Sequence, residues 1–288
     1  MRHAYPDVPV VAIDGRLDGG LLLLCDHASN ALPTRYGDLG LPAGEFERHI
    51  AYDIGAADAT RRMAALLDAP ALLATYSRLL IDPNRGAEDP TLVMRLSDGA
   101  IVPGNARIDA AEIEHRRRTY WQPYRDQIDQ TLDRMMATGI VPAIVSMHSF
   151  TPSLKGHVRP WHIGLLWDAD PRLTKPLLDA LAHEPDLQPA SDRVGDNEPY
   201  DGALPGDTID THATRRGLAN VLIEVRQDLI ATPQTAAAWG ERLARLLGPI
   251  LAEAPLHVVS HHPSRAGQPP RPVPHADLPR PRLEETSP

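Results

Sequence analysis

The chain alternates between short runs that are apolar without interruption and longer stretches in which apolar side chains recur every three or four residues. Residues 21–25, Leu-Leu-Leu-Leu-Cys, form the first such run and read as a strand buried on both faces. Runs at 71–76, 140–147, 163–167 and 218–225 predict further strands. Leu79, Leu80 and Ile81 predict another, stopped by Asp82-Pro83-Asn84-Arg85-Gly86. Residues 44–67 place Phe46, Ile50, Ile54, Ala57, Met63 and Leu66 mostly at helical steps, which predicts one long helix or two abutting ones. Residues 110–136 predict a long amphipathic helix with a charged outer face, and 173–183 and 232–251 predict two more, the last with Pro233 in its first turn. Residues 1–20 read as a lead-in, 88–105 as a surface loop, and 191–210 as a polar loop rich in Gly and Pro. Strands alternating with helices in this order predict an α/β fold: a mixed, mostly parallel central sheet flanked by helices.

Composition sharpens this picture at the C-terminus. Many of the 29 prolines fall in the last thirty of the 288 positions, so residues 1–255 are expected to form a single catalytic α/β domain and 256–288 a Pro-rich flexible tail. The formal net charge of −9 offers no basic footprint, which argues against nucleic acid as a partner. No apolar run has the length of a membrane span or of a signal-peptide core, so a soluble, cytoplasmic protein without a membrane partner is expected. A single cysteine, Cys25, excludes an internal disulfide framework and a Cys-based zinc cluster. Metal ligands, if present, must be His and carboxylate or amide.

Polar groups of catalytic type stand at or near the ends of several apolar runs: His27 and Asn30, then Arg78 with Asn84 and Arg85, then His148, then Glu224. Each has a plain alternative. His27 could be a satisfied histidine in a tight turn, Arg78 could tie a loop to Asp82, and Glu224 could pair with Arg226 on its own strand face. Together on one rim of a sheet they would build a pocket. Two histidines with an oxygen ligand and a position open to water is the arrangement of a catalytic zinc site. His27 and His148 supply the nitrogens. The third ligand is open between Asn30, three residues after His27, and Asp53, which shares a helical face with His49 if residues 44–67 are helical. Glu224, ionisable within an apolar strand, suits a general base that takes a proton from the attacking water and passes it to the leaving amine. Arg78, Asn84 and Arg85 would offer donors to an anionic substrate.

The stretches Cys25-Asp26-His27-Ala28-Ser29-Asn30, residues 49–56, Ser77-Arg78 with Asp82-Pro83-Asn84-Arg85, and His148-Ser149-Phe150 resemble the N-formylglutamate amidohydrolase family. Arg159-Pro160, Asn197-Glu198-Pro199-Tyr200, His212 and residues 223–230 extend the resemblance in matching order over about residues 20 to 250. The resemblance implies a fold similar to zinc carboxypeptidases and the aspartoacylase group, and a Zn2+ or Co2+ cofactor. It implies deformylation of an acidic amino acid such as N-formyl-L-glutamate, a small-molecule substrate within amino-acid catabolism and histidine degradation. It further implies His27 and His148 as metal ligands, Asn84 and Arg85 on a substrate carboxylate, Arg78 as a polarising group and Glu224 as base. Where the carboxypeptidase-like pattern has glutamate three residues after the first histidine, this chain has Asn30. Tyr200 resembles part of a substrate-side lid, and Arg159 and His212 are further candidate substrate contacts, with surface or packing roles as the alternatives.

Three other readings are open on the sequence. A cysteine amidase would pair Cys25 with His27, although Cys25 lies within a buried run where thiols are inert. The fold could instead bind carboxylates without chemistry, or deacylate a different N-acyl amino acid.

Overall fold

A computed structural model describes residues 2–267, 269 and 271. The alternation of leucines in the first buried run decides the layering. Leu21, Leu23 and Cys25 of strand β2 (Leu21–Cys25) face one apolar layer, while Leu22 and Leu24 face another, as a two-residue strand period requires. The first layer packs under helices α1 (Ala56–Leu67), α4 (Pro171–Ala182) and α6 (Pro233–Leu251) through residues such as Met63, Leu177 and Leu243. The second packs under α3 (Gln122–Met136), through Tyr124, Ile128 and Leu132. The expected α/β fold with flanking helices is therefore present.

The central sheet has seven strands. With β1 (Val10–Ile13), β3 (Ala71–Ala74), β4 (Ala143–Phe150), β5 (Ile163–Leu166), β6 (Val194–Asp196) and β7 (Asn220–Arg226), its order is β1-β3-β2-β4-β7-β5-β6. Strands β3, β2, β4 and β7 run parallel, whereas β1 and the β5–β6 pair run the other way. In β4 all eight residues are buried, and its register with β7 sets Glu224 directly beside His148.

Several local expectations change. Residues 44–67 are not continuously helical: a 3-10 turn, Ala43–Glu47, is separated from α1 by an irregular stretch. That stretch is anchored to the first strand end by Asp53 N–H donating to the His27 carbonyl at 2.9 Å. It ends at Gly55, at φ 78°, where a side chain would overlap the carbonyl of Ile230. His49 and Asp53 consequently do not share a helical face. Leu79, Leu80 and Ile81 are fully buried but form a turn, not a strand, and serve as core under a loop. The helix expected over 110–136 is α2 (Ala110–Arg116) running into α3 through one π-turn, Arg117–Trp121. Short strands β1 and β6 fall where a lead-in and a loop were expected.

In the Pro-rich segment, Leu256 is buried, Ser260 N–H donates to the Gly217 carbonyl at 2.8 Å, and Arg265 donates to Asp201 at 2.8 Å. Residues 256–267 thus lie against the body of the protein, and 272–288 lie outside the described residues. Among the described residues no helix is long and apolar enough to cross a membrane.

Candidate metal and active site

The parallel strands deliver their polar residues to one cavity, of about 330 Å³, whose lining includes His27, Asp53, Arg78, Asn84, Arg85, His148, Tyr200, Asp207 and Glu224. Phe150, Leu166, Leu204, Ile209 and Leu222 supply its apolar walls. His27 follows β2, His148 lies in β4 and Glu224 in β7. The long excursion between β3 and α2, largely buried over residues 75–84, brings Arg78, Asn84 and Arg85.

His27, Asp53 and His148 each present one ligand atom within 4.8 Å of the others, and all three residues are buried. Nδ1 of His27 is 3.3 Å and Nδ1 of His148 2.9 Å from the same oxygen, Oδ2 of Asp53, which also accepts from Ser149 N–H at 3.2 Å. Each imidazole is engaged on its far side by a different buried carboxylate. His27 Nε2 lies 2.7 Å from Asp82 Oδ1, and His148 Nε2 lies 3.0 Å from Asp26 Oδ2. A carboxylate on one ring nitrogen fixes the tautomer and the ring plane and leaves the other nitrogen free to ligate.

Asp82 does more than orient His27. Its Oδ1 also accepts from Asn84 N–H at 2.9 Å, and its Oδ2 accepts from Arg78 Nη2 at 2.7 Å and Nε at 3.1 Å. One fully buried carboxylate therefore orients a histidine of the triplet, the arginine beside it and the backbone that carries Asn84. Asp26 is similarly shared among His148, Ser146 Oγ at 2.9 Å and Thr208 Oγ1 at 2.8 Å. The tie between Arg78 and Asp82, given above as the plain alternative for Arg78, is thus present, whereas neither aspartate was singled out as a support for a histidine: Asp26 directly precedes His27, and Asp82 opens Asp-Pro-Asn-Arg.

Burial alone would raise the pKa of all these carboxyls; their partners decide otherwise. Burial disfavours charge on Asp26, but the hydrogen bond and charge of His148 outweigh it and hold the carboxyl at about 2. Asp82 is held well below the carboxylate range because Arg78 and His27 overcome its burial. Asp53 is likewise lowered, by both histidines against burial. His148 is raised well above the usual imidazole value: burial opposes its charge, but its hydrogen bonds to Asp26 and Asp53 prevail. Glu224 behaves in the opposite way. Among the described residues its Oε2 is buried with no hydrogen-bond partner, and burial pushes the carboxyl up to about 7 despite the opposing charge of His148. Arg226, the ion-pair partner of the alternative reading, instead pairs with Asp228 at 2.8 Å.

The remaining expected site residues divide. Tyr200 lines the cavity, and its hydroxyl accepts from Arg159 Nη1 at 2.8 Å, which places Arg159 behind the rim. Asn30 stands apart from the triplet: its Nδ2 donates to the Phe46 carbonyl at 2.7 Å and its Oδ1 accepts from His3 N–H at 2.7 Å. Both amide atoms are thus committed to holding chain segments together. His212 is also elsewhere. It is buried behind the cavity with Nδ1 2.8 Å from Asp129, and it lines a separate groove. Asp207 was not anticipated; it lines the main cavity, with Oδ1 accepting from Asp210 N–H at 2.6 Å. Cys25 is buried in β2, where burial pushes its thiol well up, the condition of an unreactive cysteine.

Comparison with known proteins bears on the family and the fold. Among solved structures, the chain is similar to a gene product of Agrobacterium tumefaciens, at 34% identity and a TM-score of 0.78 over 85% of this chain and 95% of that one. It also shares its fold with an N-formylglutamate amidohydrolase from Ralstonia eutropha JMP134, at 20% identity and a TM-score of 0.58 over 85% and 97% of the two chains. No functionally curated protein sequence matches it. Residues 19–231, which span every strand of the sheet except β1 and every residue of the cavity wall, match the family model of N-formylglutamate amidohydrolase. The chain is therefore a hydrolase that belongs to the N-formylglutamate amidohydrolase family.

Proposed function

We propose that this enzyme removes the N-formyl group from an acidic amino acid, N-formyl-L-glutamate, and that it does so with a divalent zinc or cobalt ion held by His27, Asp53 and His148. One observation carries the reading. Two imidazoles, each pinned at Nε2 by its own buried carboxylate, turn Nδ1 toward a single carboxylate oxygen, beside a glutamate whose Oε2 has no partner among the described residues.

The donor set fits the ion. Two nitrogens and one oxygen are the ligand count of a catalytic zinc site that keeps a position for water. Charge supports the same assignment, since Asp26, Asp53 and Asp82 are all buried and Arg78 is the arginine that contacts this group. An ion bound there supplies Lewis acidity toward the scissile carbonyl and acidifies an attacking water.

The chain's own residues account for the rest. Glu224, poised near neutrality in its buried setting, takes the proton of the attacking water and returns it to the leaving amine nitrogen. Arg78, locked by two bonds to Asp82, stands at the cavity wall as a fixed donor for the oxygen that gains charge when the acyl carbon becomes tetrahedral. Asn84 and Arg85 offer amide and guanidinium donors to a substrate carboxylate. Tyr200, steadied by Arg159, lines the cavity while remaining partly exposed, and so offers a phenol to the substrate.

Chelator-treated protein is expected to lose hydrolysis of N-formyl-L-glutamate and to recover it with zinc or cobalt. In Glu224→Gln, turnover should vanish while the metal content measured by elemental analysis stays at the wild-type level. Activity indifferent to chelation would sink the metal assignment, and a substrate panel without any N-formyl amino acid turned over would sink the substrate.

A further inference from the structure

We infer that Arg125, on the buried face of α3, is a positioning residue that clamps together the two loops bearing Asn84–Arg85 and Asp207. The guanidinium is an unusual object to find there. It is 5% exposed, and among the described residues no carboxylate lies within ion-pair distance of it. A buried cation without a paired anion is costly, and burial indeed depresses its proton affinity. What it touches instead is loop backbone. Nη2 donates to the Gly206 carbonyl at 3.2 Å, Nη1 lies 3.5 Å from the Pro83 carbonyl, and the group lies over the Trp121 ring at 4.5 Å.

Those two carbonyls belong to different loops. Pro83 precedes Asn84 and Arg85, and Gly206 precedes Asp207, all three of which line the main cavity while Arg125 does not. The loops meet backbone to backbone, since a Cβ on Gly206 (φ 78°) would come within 2.9 Å of Gly86 Cα. Two cross-loop hydrogen bonds from Thr208 join them on the other side, its N–H to Asn84 Oδ1 at 3.0 Å and its hydroxyl to the Pro83 carbonyl at 3.4 Å. Arg125 joins them from behind, and its stacking partner Trp121 donates Nε1–H to the Arg85 carbonyl at 3.0 Å. Loops without a ladder of their own keep their spacing only through such contacts. The fork of the guanidinium reaches two carbonyls at once, which a single ammonium does less well.

The part of this inference that concerns substrate rests on the proposed function, so the experiment reads the clamp separately. Hydrogen–deuterium exchange on wild type and Arg125→Gln is expected to show at least tenfold faster exchange at the amides of Arg85, Asp207 and Thr208, with the strands of the sheet unchanged. Steady-state kinetics on N-formyl-L-glutamate should show KM raised about 10- to 100-fold, the loss of a hydrogen bond from a charged donor, with kcat within about twofold. Arg125→Lys should recover part of both effects, and Trp121→Phe, which keeps the ring and loses one bond, should raise KM less. Unchanged exchange at the three amides, or faster exchange spread uniformly over the whole chain, overturns the clamp. If Arg125→Gln does not fold, the same readouts on Arg125→Lys and Trp121→Phe decide it. Wild-type protein inactive on every N-formyl amino acid would refute the substrate reading alone, because the exchange pattern needs no turnover.

Discussion

Replacement of Asp82 by asparagine tests the organisation of the site most directly, because it preserves shape and removes charge. Asp82 is fully buried, accepts from His27 Nε2 and Asn84 N–H on Oδ1, and accepts from Arg78 on Oδ2. An asparagine can accept on one side only. With its oxygen toward His27 and Asn84 its amide hydrogens face the guanidinium; flipped, they face the imidazole N–H and the backbone N–H. No orientation satisfies every partner. Breaking a buried ion pair by removing one charge costs about 3–5 kcal/mol, and Arg78 is partly exposed and keeps Asp53 at 3.7 Å, so about 3 kcal/mol is expected. For a domain of this size that corresponds to a fall in Tm of about 6–12 °C. Loss of the carboxylate behind a ligating histidine lowers metal affinity by about 10- to 100-fold. Thermal denaturation of chelator-treated protein reads the first quantity, and competition with a chromophoric chelator reads the second. A variant whose metal-free Tm lies within about 2 °C of wild type and whose affinity is unchanged would refute the assignment of Asp82 as the shared support of His27 and Arg78.

Two further outcomes are expected. Burial raises the Asp207 carboxyl to about 7, against the backbone hydrogen bond from Asp210, so the folded state holds a proton that the unfolded chain releases near pH 4. Stability is therefore lost as pH rises through this window. Asp207→Asn, neutral throughout and still able to cap α5 (Thr208–His212), should gain on wild type between pH 4.5 and 8 by as much as about 3 kcal/mol in urea denaturation. An equal difference at the two pH values would count against it. Cys25→Ala should keep full activity and lose about 1 kcal/mol of stability to the smaller side chain in β2; inactivation would restore a nucleophilic role for the thiol.

The sequence by itself determined the layers of this protein and eight of the polar residues that line its cavity. Continuous apolar runs at 21–25, 140–147 and 218–225 are legible because a strand buried on both faces writes its burial into adjacent positions, with no reference to distant partners. His27, His148 and Glu224 were visible for the same reason: each interrupts or ends such a run. What only the tertiary structure decided was partnership, because hydrogen bonds between side chains far apart in sequence leave no periodic trace. Asn30 and Asp53 had comparable standing as the oxygen beside the two histidines. Asn30, three residues from His27, is drawn off by Phe46 and His3, while Asp53, 26 residues away, is brought in when its own N–H binds the His27 carbonyl. Asp26, Asp82 and Arg125 carry the same lesson. Their importance lies in which groups they bridge, and bridging is a property of the folded chain, where burial makes every polar atom require a partner and the register of the sheet determines which partners lie within reach.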